Sequence, residues 1–159
     1  MEFVREKFTT ILQNYYSLKS DLDVKGKDID KLLIFLTDRR NASFGDSLIN
    51  FIYSCSKSLA INECTGVKIS DSILLKGFND SNLLNWLKIK GKKKDQANGI
   101  EALIFYMWLV KNFQIENMCM ILLSELDKKN LNNSIDEKRY ASIAFTKLFN
   151  AFDHKLSEN

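Results

Sequence analysis

The chain has no proline in its 159 residues. Proline breaks helices more reliably than any other residue, because it removes a backbone donor and clashes with the turn before it. Without it, long helices are permitted from end to end. The six glycines fall mostly between apolar stretches. Hydrophobic residues make up 45% of the chain, which suits a packed core rather than disorder. The length suits a single domain over residues 1–159. These features together predict an all-α fold.

Helical spacing of apolar residues places about eight helices. The first covers roughly Phe3 to Leu18, with Phe3, Phe8, Ile11, Leu12 and Tyr15 facing the core. A charged turn follows from Asp21 to Lys27 around Gly26. The second carries Ile29, Leu32, Leu33 and Leu36, and Asp38-Arg39-Arg40-Asn41 reads as a polar break after it. The third runs from about Ser43 to Ile61. It is apolar on more than one face, through Phe44, Leu48, Ile49, Phe51, Ile52 and Tyr53, as in a buried or interfacial helix. Ser70 or Asp71 caps a short helix through Leu75, and Asp80 or Ser81 caps another holding Leu83, Leu84, Trp86 and Leu87. Gln96 to Lys111 is the most apolar helix. Glu116 to Lys128 follows, and then Ser134 to Leu156, with a capping box at Ser134–Glu137. Its candidate core residues are Ile135, Tyr140, Ile143, Phe145, Leu148 and Phe152.

Several function classes are excluded. No Gly-rich phosphate loop follows a strand. The only histidine, His154, sits near the end of the chain, which disfavours a histidine triad. Cys55, Cys64 and Cys119 lack zinc-type spacing and read as reduced structural thiols. The opening residues lack a signal core, and the longest apolar run, Ala102 to Val110, is too short to span a bilayer. The expectation is a soluble, cytoplasmic protein that does not enter a membrane.

Two acids stand out. Asp46 is the only charge between Asn41 and Lys57, and Glu101 the only one between Gln96 and Lys111. A carboxylate on so apolar a helix is costly unless paired, hydrogen-bonded or metal-bound. If the two meet, they form a hard-oxygen site for Mg²⁺ or Mn²⁺. The competing reading is that both lie near helix starts, where the dipole favours a negative charge. Gly45 and Gly99 lie beside or near these acids. Glycine inside a helix costs up to about 1 kcal/mol, so each points to close approach of a backbone or a ligand.

Phe44-Gly45-Asp46-Ser47-Leu48 resembles the signature of the ribonuclease III family, in which a glycine-aspartate pair opens an apolar helix. Glu101-Ala102-Leu103-Ile104 resembles the family's second motif. The two occur in the expected order, and the resemblance covers roughly Ile29 to Val110. It is nearer to compact types such as Mini-III and short archaeal relatives, which have no separate double-stranded-RNA-binding domain. The resemblance implies a helical homodimer that cleaves double-stranded or structured RNA with Mg²⁺ or Mn²⁺, leaving 5′-phosphate and 3′-hydroxyl ends, as in RNA processing. It implies that Asp46 and Glu101 ligate the metal, with Asn98 offering a carbonyl oxygen where the full-length enzymes carry an acid. Ala42 and Arg39 also stand where acids are usual. Those departures keep a second reading open: a catalytically degenerate dimer that binds structured RNA or a protein partner without cleaving. Lys88, Lys90, Lys92, Lys93 and Lys94 cluster around Gly91 just before the Glu101 helix. In the family's architecture that connection lies near the RNA groove, and clustered lysines suit phosphate contacts.

Overall fold

A computed structural model describes residues 1–16 and 29–158. Among them are seven α-helices, two short 3-10 turns and no strand. The helices are α1 (Glu2–Tyr16), α2 (Ile29–Leu36), α3 (Arg39–Ile61), α4 (Asp71–Asn79), α5 (Lys93–Leu109), α6 (Ile115–Leu123) and α7 (Ser134–Ser157). The 3-10 turns are Asn82–Asn85 and Lys128–Leu131. The all-α expectation holds. The predicted Asp21–Lys27 turn, the end of the first helix at Leu18 and the side chain of Tyr15 lie outside the described residues. No helix among the described residues is long and apolar enough to cross a membrane.

The α5 helix is the centre of the molecule. Residues 99–109 are all buried, so it has no solvent face for most of its length. A helix apolar all round must be surrounded, and α5 packs against α1, α2, α3 and α4. Its most extensive partner is α3. The Phe105-Tyr106-Met107-Trp108 stripe is core, each residue no more than 2% exposed. The α7 helix packs on α4 and α6, with Phe145, Phe149 and Phe152 fully buried and in ring contact along it. Buried Tyr53 and half-buried Lys57 of α3 both reach Glu137 of α7, at 3.2 and 2.6 Å.

Several boundaries differ from the sequence expectation. The Asp38–Asn41 segment is a helix start, not a break. The Asp38 carboxylate accepts the Arg40 backbone N–H at 2.9 Å and also pairs with its guanidinium at 2.7 Å. Buried Asn41 donates to the Phe35 carbonyl at 2.9 Å and fixes the α2–α3 corner. The expected helix after Asp80 or Ser81 is only a 3-10 turn, because the Ser81 hydroxyl turns back to the Phe78 carbonyl at 2.7 Å instead of capping forward. The cap of α7 is Asn133, whose side chain accepts from the N–H groups of Ile135 and Asp136, so the box at Ser134 does not form. The α6 helix stops at Leu123, short of Lys128.

Some expected core residues face outward. Ile135 is 78% exposed and Ile143 42%. The buried face of α7 is set by Ala141, Ala144, Phe145, Leu148 and Phe152, and Ile143 lies about 200° around the helix from Phe145. Phe3, Ile11 and Phe51 are also exposed.

Candidate functional site

The site begins with a helix crossing. Gly45 of α3 lies against the backbone carbonyl of Glu101 on α5. A Cβ at Gly45 would stand 1.9 Å from that oxygen and 2.4 Å from its carbon. No other residue fits there without parting the helices. The next residue along α3 is Asp46, so the crossing that needs glycine also sets Asp46 beside Glu101. Gly99 serves packing instead: a Cβ there would meet the Ile89 side chain at 2.6 Å.

Asp46 and Glu101 line one cavity of about 220 Å³, and Asn98, one turn before Glu101, lines it too. Both acids sit about two turns inside their helices, since α3 begins at Arg39 and α5 at Lys93. The dipole acts within the first turn and so does not account for either carboxylate. This corrects the helix-start reading.

The two acids are held differently. The Asn50 amide donates to Asp46 at 3.0 Å, and its oxygen accepts the Ile69 N–H at 2.8 Å. Asn50 thus ties Asp46 to the segment leading into α4. Glu101 is only 5% exposed, and among the described residues no hydrogen-bond donor reaches its carboxylate. Burial, and next the charge of Asp46, push its pKa up to about 7, with Lys94 and Lys68 partly offsetting them.

Three cavity residues were not legible as such in the sequence. Asp71 reads as a helix cap, yet its carboxylate turns to Lys94 at 3.1 Å. Lys68 lies 3.7 Å from Asp46. Arg39, which in the sequence reads as a solvated surface residue with phosphate contact as the alternative, lines the cavity as the first residue of α3. Only the tertiary fold brings these elements together.

The lysine cluster divides. Lys94 lines the acid cavity. Lys90 lines an adjoining cavity of about 320 Å³ that shares Arg39 and Asn98 with it. Lys88 donates to the Leu84 carbonyl. Lys92 is the cap residue of α5, its N–H held by Asp95 at 3.0 Å, and Lys93 and Lys94 form the first turn of that helix rather than a loop. Cations at a helix start oppose the dipole, so helix stability does not explain them. Lys88, Lys92 and Lys93 are exposed and line neither cavity. His154 is exposed beside Glu158, and Cys55, Cys64 and Cys119 are free thiols.

A model of the family described as Ribonuclease III matches residues 39–158. The chain belongs to the ribonuclease III family. The match opens at the first residue of α3 and takes in every residue that lines the acid cavity, leaving α1 and α2 outside it. No curated protein matches the chain.

The donors around the acid cavity decide whether a divalent metal fits there. Among the described residues, no group of three or more His, Cys, Asp or Glu side chains gathers to hold a metal ion. Asp71 is engaged by Lys94. The available set is two carboxylates and the Asn98 amide. Mg²⁺ keeps several waters and commonly takes one or two carboxylates, so the set fits one such ion. Glu101, 5% exposed, faces this cavity with no donor to its carboxylate among the described residues, an arrangement that a cation would satisfy.

Proposed function

We propose that this ribonuclease III family protein is a divalent-metal-dependent endonuclease for double-stranded RNA, producing 5′-phosphate and 3′-hydroxyl ends. Family membership implies an RNA substrate. The observation that carries the reading is the convergence of Asp46 and Glu101 on one cavity, where no donor among the described residues reaches the Glu101 carboxyl. Asp46, Glu101 and the Asn98 carbonyl oxygen would hold Mg²⁺ or Mn²⁺. When bound, the ion supplies charge neutralisation at the phosphodiester and a water more acidic than bulk water. Asn50 keeps the Asp46 carboxylate oriented through its two hydrogen bonds. The apolar packing of α3 on α5 keeps Glu101 shielded. Lys90, Lys92, Lys93 and Lys94 provide sequence-independent attraction for the duplex backbone.

We place two copies on each duplex, as a homodimer that acts in RNA processing. Exposed Phe51 and Leu59 on α3 and Met120 on α6 supply apolar surface for such an interface. The test is cleavage of a labelled RNA duplex in Mg²⁺ or Mn²⁺. Asp46→Asn and Glu101→Gln each abolish cutting while leaving the fold intact. Duplex that stays whole with purified dimer and either metal refutes the reading.

One observation favours the non-cleaving alternative: the cavity contains as many cationic as acidic side chains, so its affinity for a metal is reduced. Duplex binding without cleavage, insensitive to changes at Asp46 and Glu101, would select it.

A further inference from the structure

The acid cavity has a cationic half. Arg39, Lys68 and Lys94 line it together with Asp46, Asp71 and Glu101. Three formal positive charges therefore stand against three negative ones in about 220 Å³. Two of the cations sit on acids, Lys94 on Asp71 at 3.1 Å and Lys68 on Asp46 at 3.7 Å. These pairs are loose in solvent terms: the side chains of Lys94 and Lys68 are 66% and 77% exposed. Exposed pairs of this kind add little to stability, about 0–1 kcal/mol. Holding the helices together does not explain three cations around a buried carboxylate.

Charge balance suggests a role. With one divalent ion held, five formal positive charges face three negative ones, and a phosphodiester would offset part of that excess. Lys68 also loses its claim on Asp46 once a cation is held there. We propose that Arg39, Lys68 and Lys94 form an anion subsite that grips the phosphodiester beside the Asp46–Glu101 pair. This rests on the nuclease reading for its purpose, but not for its geometry. Arg39 brings a planar fork that matches two phosphate oxygens, while the lysines act as point charges. Arg39 also lines the adjoining cavity with Lys90, so a backbone leaving the subsite meets a further cation. A bound phosphodiester and a bound metal ion favour each other, because each brings the charge that the other leaves uncompensated.

The experiment measures binding of a fluorescent RNA duplex by anisotropy across a salt series, with EDTA and separately with Ca²⁺. Single-turnover cleavage in Mg²⁺ runs in parallel. The variants are Arg39→Gln, Lys68→Gln and Lys94→Gln, with Lys94→Arg as the charge-preserving form. Lys147→Gln is the control, since Lys147 pairs with Glu125 away from the cavity. Each subsite variant lowers the slope of log affinity against log salt by roughly 0.9, the value for one phosphate contact on B-form duplex. The loss is larger with Ca²⁺ than with EDTA. Lys94→Arg and the control keep the slope. Cleavage at saturating RNA falls at least tenfold in the three subsite variants. Slopes unchanged in all three overturn the proposal, whether or not the protein cuts. A wild type that binds with the predicted slopes but never cuts upholds the subsite and sinks the nuclease reading. Normal cutting by all three variants, with normal slopes, does the reverse.

Discussion

Replacing Glu101 by glutamine should stabilise the protein, and only above a defined pH. The Glu101 carboxyl is buried beside Asp46, and its pKa is raised from 4.5 to about 7. The folded protein therefore holds a proton at pH 5–6 that the unfolded chain releases. Stability conferred by that proton fades as pH rises through this window, and above 7 the folded state bears the full cost of the buried charge. At 1.36 kcal/mol per pH unit, the interval corresponds to about 3 kcal/mol. Glutamine keeps the shape and removes the charge. Without metal at pH 8, Glu101→Gln should melt roughly 6–12 °C above wild type, given 2–4 °C per kcal/mol for a chain of this size. At pH 4.5 or below the two should agree closely. The assay is thermal unfolding by circular dichroism in chelator from pH 4.5 to 8.5, with Asp46→Asn beside it. Asp46→Asn should also stabilise at high pH, less than additively with Glu101→Gln, since each removes the other's repulsion. A Glu101→Gln variant that is destabilised equally at pH 5 and pH 8 would refute the argument, because the carboxylate would then be satisfied rather than stranded.

Three further outcomes follow from the same geometry. Gly45→Ala should cost at least about 3 kcal/mol in denaturant unfolding, because its Cβ would meet the Glu101 carbonyl oxygen at 1.9 Å with backbone on both sides; a loss below 1 kcal/mol would mean the helices are not so close. Mg²⁺ or Mn²⁺ should raise the melting temperature of wild type, by about 2.7 kcal/mol of stability at a hundredfold excess over Kd, and leave an Asp46→Asn, Glu101→Gln double variant unmoved. Phe51→Asp, at a position 57% exposed on α3, should turn the proposed dimer into a monomer in light scattering while preserving the helical signal; a dimer that persists would move the interface elsewhere.

The parts of the molecule legible in the sequence are those written in local patterns. The α5 helix declared itself because Ala102 to Val110 has no polar face. Glycine at position 45 declared a close approach, since a helix does not otherwise accept that loss. What stayed hidden depended on how polar groups are spent. Asp38-Arg39-Arg40-Asn41 looks like a break by composition, yet Asp38 uses its carboxylate to start α3, and Asn41 is buried on the Phe35 carbonyl. That small boundary error has a functional consequence. It hid the fact that Asp46 lies two turns inside the helix, where the dipole no longer accounts for its charge. Lys68 and Asp71 carry no short-range signal at all, because one sits before α4 and the other begins it, and their partners are on α3 and α5.

These observations make the two motifs one device rather than two. The glycine before Asp46 matters because the carbonyl it admits belongs to Glu101. The contact distance of two backbones therefore sets the spacing of two carboxylates. Packing and chemistry are fixed by the same atoms, so a change that loosens the crossing must weaken the site even if both acids remain. A mislocation of about 1 Å costs an enzyme on the order of a hundredfold in rate. Any residue larger than glycine at position 45 should thus cost activity well before it unfolds the chain.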